Sequence, residues 1–186
     1  RFVLRPRDAV IGRTLRKQVQ RGRYSVRADT RFEDVMRACA TVPRPGQRGT
    51  WITDELLEGY ARLHRLGFAH SIEAYEGDEL VGGLYGVSLG RAFFGESMFA
   101  LRPDASKVAF VTALAHFVRW GIELVDCQVP TAHLASFGAV EWPRARFLAV
   151  LREAVAHPTR VGVWTLDATP AEVLRNLGPT PADALS

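Results

Sequence analysis

The chain has little cysteine, almost no lysine and no long apolar run, and each shortage removes a class of protein. Cys39 and Cys127 are its only cysteines. Two thiols do not make the disulfide framework of a small secreted scaffold, and a reducing cytoplasm is the simplest setting. No stretch of about 18 apolar residues occurs, so no membrane span is expected. The opening Arg1-Phe2-Val3-Leu4-Arg5-Pro6-Arg7 lacks an initiator Met and the apolar centre of a signal peptide, and reads as a trimmed start. The histidines His64, His70, His116, His133 and His157 are scattered. None stands in a His-Glu-x-x-His pattern or beside paired cysteines, which favours solvated or hydrogen-bonded core histidine over a metal site. No Gly-x-Ser-x-Gly elbow exists, and Gly83, Gly86 and Gly90 miss the dinucleotide and P-loop spacings.

What is present fits one globular domain. With 186 residues, 47% hydrophobic and 24% charged, the chain is long and apolar enough to bury a full core. Its net charge is +4, and Lys17 and Lys107 are the only lysines, so arginine carries nearly all the positive charge. Arginine grips planar phosphate and carboxylate groups in bidentate fashion, which admits a nucleic-acid partner. A genome-wide bias toward arginine codons produces the same composition.

Periodicity orders the elements. Residues 13–23 hold Arg13, Arg16, Lys17, Arg21 and Arg23 and read as a short basic helix or arm, or a solvated face. A short strand over 24–27 follows. Asp29 or Thr30 is expected to cap a helix with the stripe Phe32, Val35, Met36 and Cys39. Residues 43–46 form a loop. Residues 53–55 start a second helix, with Leu56, Tyr60 and Leu63 on one face, ending near Gly67. Residues 69–76 and 79–89 make a hairpin across Gly77-Asp78, and 92–101 completes a meander. Asp104 or Ser106 opens a helix carrying Phe110, Ala113, Leu114, Phe117 and Val118, which Gly121 stops. Residues 122–129 form an apolar strand, 133–137 a short helix, and Pro143 begins another helix. The tail from 158 has one strand-like piece, 161–166. The order predicts a mixed central sheet flanked by helices, an α/β (α+β) chain of the kind found in the GNAT-like acyltransferase fold.

Residues 80–99 carry the most information. If the second run there is a regular strand, Phe94, Glu96 and Met98 share one face and Phe93, Gly95, Ser97 and Phe99 the other. A glutamate between Phe and Met is costly to bury without a partner or ligand. At the end of the apolar strand, Asp126 and Gln128 project together while Cys127 points into the core. Polar groups at that end of a strand, beside a crossover, are placed like site residues, although Asp126 could equally cap the following turn. Trp51 and Tyr60 flank a capped helix; such aromatics are usually core residues and can also stack a base. A GNAT enzyme using acyl-CoA would carry a glycine-bearing loop at the start of its main helix, and Arg102-Pro103-Asp104-Ala105-Ser106-Lys107 has no glycine.

A run of motifs resembles the bacterial leucyl/phenylalanyl-tRNA–protein transferases. It comprises Thr50-Trp51-Ile52, Tyr60 with Leu63-His64, Gly67-Phe68-Ala69-His70-Ser71-Ile72-Glu73 and Gly82-Gly83-Leu84-Tyr85-Gly86. It continues through Phe93-Phe94-Gly95-Glu96-Ser97-Met98-Phe99, Ala105-Ser106-Lys107, Asp126-Cys127-Gln128 and His133-Leu134-Ala135-Ser136-Phe137-Gly138-Ala139. Pro143-Arg144 and Phe147 close it. The likeness covers about residues 5–151 in order, within a single domain with a basic arm over about 5–24 and a tail over about 158–186. It implies a cytoplasmic enzyme of the N-degron pathway, a monomer without metal or organic cofactor. That enzyme would move Leu, Phe and less readily Met from aminoacyl-tRNA to proteins beginning with Arg or Lys. Glu96, Asp126 and Gln128 fall at the family's functional positions. Trp51, Tyr60, Leu84, Phe93, Met98, Phe110 and Phe117 match or lie at positions lining the aminoacyl-adenosine site. Typical members carry a further N-terminal region with a Trp-Trp-Ser-Pro element before a Pro-Arg, and the likeness begins near that Pro-Arg, as in a short form. The rival readings are a non-catalytic aminoacyl-tRNA or RNA-binding module, and a GNAT-type enzyme with another acyl donor.

Overall fold

The computed structural model describes residues 1–42 and 52–177. The expected 43–46 loop and Trp51 lie outside them. The described strands are β1 (Phe2–Leu4), β2 (Ser25–Ala28), β3 (Ala69–Glu76), β4 (Glu79–Leu89), β5 (Ala92–Ala100), β6 (Leu124–Gln128) and β7 (Val140–Glu141). They form one mixed sheet in the order β2-β3-β4-β5-β6-β1-β7. Only the β5–β6 pair is parallel, and the crossover between them is the long helix α4 (Ala105–Trp120), described with the others below.

The described α-helices are α1 (Arg13–Arg21), α2 (Phe32–Thr41), α3 (Asp54–Arg65), α4, α5 (Ala132–Ala135), α6 (Arg144–Val155) and α7 (Pro170–Asn176). One sheet face packs on α4, whose residues Val108 to Phe117 are all buried. A helix apolar on every side belongs in the middle of a core. The other face carries α2 and α3 over Ala69, Tyr85 and Phe99, and α6 over Ala92 and Leu124. Local signals place the ends. The Thr53 Oγ accepts the Leu56 N–H at 3.4 Å, and Gly121 (φ 74°) closes α4 through bonds to the Phe117 and Val118 carbonyls. The hairpin turns between Glu76 and Glu79, as its Gly-Asp predicts.

Two glycines let the layers meet. A Cβ on Gly82 would lie 2.7 Å from the Ala105 Cβ, and one on Gly86 would overlap the Phe94 carbonyl and the Phe93 ring. Both sit on β4, so the glycine corner brings helix and neighbouring strand close to the sheet backbone.

Four expectations need correction. Strand β5 is not regular: Tyr85 pairs with Ser97 but Gly86 with Gly95, which leaves Glu96 as an extra residue in a bulge. The bulge reverses the side-chain phase, so Phe93 and Met98 both face α4 while Phe94 and Phe99 face away. Neither Asp29 nor Thr30 caps α2; its N-cap is Arg31, without a side-chain cap bond. Asp104 opens α4 as its N-cap residue, as expected, with φ 62° and its carboxylate paired with Lys107. Residues 161–166 form no strand. The short strands β1 and β7 and the helix α7 were not expected.

Candidate functional site

A cavity of about 290 Å³ opens between β4, β5, β6 and α4. Its apolar lining includes Leu84 from β4, Phe93 and Met98 from β5, Phe110 from α4, and Leu134 from α5. The bulge makes this possible, because a regular β5 would turn either Phe93 or Met98 out of the pocket. Glu96, the bulged residue, also lines the cavity.

Polar groups converge at Glu96. The Gln128 Nε2 donates to the Glu96 Oε2 at 2.9 Å and to the Gly95 carbonyl at 2.9 Å. Tyr60 reaches the same carboxylate from α3, and its hydroxyl is pushed up by burial and then by the Glu96 charge. The phenol therefore stays protonated and donates. Its ring meets Tyr85 edge-on at 5.4 Å. Gln128 is in the left-handed region (φ 64°), and its backbone N–H is held by the Asp126 Oδ1 at 2.8 Å. The other Asp126 oxygen takes the Arg1 Nε at 3.0 Å and Nη2 at 2.6 Å. Asp126 is thus fully engaged and 1% exposed. Asp126 holds the turn through the Gln128 N–H and also anchors Arg1, while the Gln128 side chain serves Gly95 and Glu96; neither residue is in the cavity lining.

Of the residues singled out in the sequence, Leu84, Phe93, Glu96, Met98 and Phe110 line the cavity. Phe117 stands one layer deeper, its ring 4.8 Å from that of Phe93. Tyr60 touches the site through Glu96, and Trp51 is outside the described residues. Sequence reasoning missed Val125, Val129, Thr131, His133 and Leu134, and it missed Arg1. The strand after α4 offered a period-two signal for Val125 and Cys127; the loop residues offered none. Cys127 points toward the core as expected, and there it lines the cavity. Burial, then the Asp126 charge, pushes its thiol up to about 12, so it stays protonated and is a poor nucleophile. His133 is shifted down by burial and by the Lys107 charge, which favours neutral imidazole. His64 and His116 hold backbone groups, His64 the Ala69 carbonyl and His116 the Asp167 and Ala168 N–H groups. Among the described residues no three His, Cys, Asp or Glu side chains are grouped to hold a metal, and no helix is long and apolar enough to cross a membrane.

Residues 3–152 match the family described as leucyl/phenylalanyl-tRNA protein transferase, which sets the chain among the aminoacyltransferases. The chain is 63% identical over 165 residues to the leucyl/phenylalanyl-tRNA–protein transferase of Myxococcus xanthus, covering 89% of this chain and 70% of that one. It is 61% identical over 168 residues to the enzyme of the same name from an Anaeromyxobacter strain, covering 90% and 72%. The chain belongs to the leucyl/phenylalanyl-tRNA protein transferase family. Among solved structures, an aminoglycoside acetyltransferase from a soil metagenome aligns with a TM-score of 0.46 at 14% identity, over 78% of this chain and 97% of that one.

Proposed function

We propose that the chain moves Leu or Phe, and less readily Met, from aminoacyl-tRNA to the α-amine of a cytoplasmic protein that begins with Arg or Lys. The observation that carries this reading is the apolar cavity with Glu96 in its lining and Gln128 bonded to that carboxylate. An apolar side chain of the donor fills the cavity, and its ester lies at the polar rim. On the family likeness, Trp51, Tyr60 and Phe117 also match or lie at positions lining the aminoacyl-adenosine site.

The aminoacyl ester is already activated, and an acceptor α-amine with a pKa near 8 is partly neutral at pH 7. The reaction therefore needs positioning more than a strong base. The amine lone pair attacks the ester carbonyl and the C–N bond forms. The nitrogen sheds a proton, the C–O bond to the ribose breaks, and the ribose oxygen takes a proton. No described residue donates to the Gln128 Oε1, so that oxygen is available to accept an N–H of the incoming amine. Asp126 holds the Gln128 backbone in its left-handed turn and so aims the side chain. The Glu96 carboxylate adds negative charge where a cationic N-terminal residue arrives.

The test is incubation with phenylalanyl-tRNA and peptides that differ only in their first residue. Transfer to Arg- and Lys-terminated peptides, and not to Ala- or Glu-terminated ones, is expected. Equal transfer to all four, binding without transfer, or acylation from acyl-CoA would overturn the reading.

A further inference from the structure

Residues 158–167 have no regular secondary structure, and they lie beyond the residues matched to the family. They are nevertheless pinned along their length. The Thr159 Oγ accepts the Gly90 N–H at 2.8 Å, the Gly162 N–H meets the Gly67 carbonyl at 3.2 Å, and Asp167 pairs with Arg119 at 2.7 Å. At the centre, the Trp164 N–H donates to the Asp29 Oδ2 at 2.7 Å, and its indole N–H to the Arg160 carbonyl at 3.1 Å.

This strap drives the Trp164 side chain into the core, where it is 1% exposed. The indole stacks on His70 with centroids 3.6 Å apart and planes within 4°. It meets Phe117 edge-on at 5.9 Å, and Phe93 at 6.1 Å. Phe93 is the wall of the cavity nearest this cluster. Its ring is boxed by the Gly86 backbone, by Phe117 at 4.8 Å and by Trp164. Gly86 is fixed in the sheet and Phe117 in the buried helix α4. Trp164 is the one prop delivered by an irregular segment.

We infer that Trp164 is a positioning residue for the amino-acid cavity: it sets how far the Phe93 wall stands forward, and thereby the preference between side chains of different size. The inference rests on reading the cavity as the pocket for the transferred amino acid. Without the indole, Phe93 tilts back into the vacated space and the pocket deepens, since a core collapses only partly around a deletion. A deeper pocket favours Phe over Leu, because the smaller side chain no longer fills it.

The experiment measures kcat/KM for phenylalanyl- and leucyl-tRNA with one Arg-terminated peptide. The proteins are the full chain and its Trp164→Leu, Trp164→Phe and Val173→Ala variants. Val173 is buried on α7 and is not part of the cavity lining. Trp164→Leu should move the Phe-to-Leu ratio toward Phe by about 5-fold or more, on the scale of pocket discrimination by a few carbons. Trp164→Phe should bring the ratio back to within about 2-fold of the parent. Val173→Ala should lower the melting temperature and leave the ratio alone. An unchanged ratio in Trp164→Leu, or equal loss for both donors, shows a merely structural tryptophan and overturns the inference. A parent chain that transfers neither amino acid fails earlier, at the reading of function, and takes this inference with it.

Discussion

The Arg1 guanidinium grips the Asp126 carboxylate through two nitrogens, Nε at 3.0 Å and Nη2 at 2.6 Å, while the second carboxylate oxygen holds the Gln128 N–H. A buried carboxylate with this many donors is a fixed anchor. It links strand β1 to the turn that aims Gln128. On the proposed function, Asp126 works through Gln128, and Gln128 is the group that meets substrate.

The first prediction follows from that linkage. Asp126→Ala and Gln128→Ala should each slow transfer by about 10-fold or more, the scale of a lost positioned polar group. Arg1→Ala strands a buried charge, so it should cost on the order of 1–3 kcal/mol of stability as well as slow transfer. The Arg1→Ala/Asp126→Ala double variant should be little worse than Asp126→Ala alone, because both remove one anchor. Rates and melting curves on the four proteins check this. Additive losses would mean that the two residues act separately.

What could be read along the chain was local. Thr53 capping α3, the Gly-Asp turn and the stop at Gly121 each depend on neighbouring residues, and each is found where expected. The mixed sheet flanked by helices follows from the order of those elements. The misses depend on distant partners. The Glu96 bulge exists only in register with β4. Asp29 gives its carboxylate to His70, Ser71 and Trp164 instead of to the helix beside it. Strands β1 and β7 are three and two residues long, too short for any period, and are defined by pairing with residues more than a hundred positions away. Leu84, Phe93, Met98 and Phe110 were legible through the family resemblance, whereas the period of two put Phe93 and Met98 on opposite faces and only the bulge brings them together. Phe117 went one layer deeper, and Leu134 and His133 arrived from beyond β6 without a local signal.

A second prediction concerns Glu73, fully buried on β3. Burial pushes its carboxyl up, against the pull of bonds from Ser71, Thr30 and Arg31. The folded chain therefore holds this proton more tightly than the unfolded one. The group's stabilising contribution is complete below the ordinary glutamate value and is lost as pH rises through the raised one. Glu73→Gln mimics the neutral form. It should melt higher than the parent at pH 8 and match it below about pH 4, where both side chains are neutral. A variant that melts lower at pH 8 would show that the charged form is favoured by its donors.

The third prediction concerns the basic helix. Arg13, Lys17 and Arg21 are exposed and stand four residues apart on α1, which lines them along one face. Arg16 is spent inward on the Ile11 and Leu177 carbonyls. Phosphate contacts by the exposed three should make tRNA affinity fall steeply with salt. Each of Arg13→Ala, Lys17→Ala and Arg21→Ala should reduce the slope of log affinity against log salt by about 1. Arg16→Ala should lower stability more than it changes the slope. A flat salt response in the parent would reduce the helix to a solvated face.

The last prediction concerns which amino acids the cavity takes. Leu84, Phe93, Met98 and Phe110 offer only apolar surface to a side chain that enters. Burying Leu or Phe there is worth roughly 1.5–3 kcal/mol, enough for about a 10- to 100-fold preference over Ala. A charged side chain would lose its water among the apolar walls, and the Glu96 carboxylate in the lining is already engaged by Gln128 and Tyr60. Methionine should be accepted, since its flexible thioether fits irregular gaps. Val and Ile branch at Cβ, close to the ester, where Gly95 and the bulged Glu96 bring the β5 backbone to the cavity. Branching there should meet backbone that cannot retreat. Leu and Phe should therefore transfer best, Met less well, Val and Ile poorly, and Asp or Lys hardly at all. Phe110→Ala should enlarge the cavity and blunt the preference for Leu over Ala, by the contacts that one wall supplies. Competition between charged tRNAs decides the matter: Ile moving as well as Leu removes the tight neck at the bulge, and Lys moving as well as Leu removes the apolar pocket.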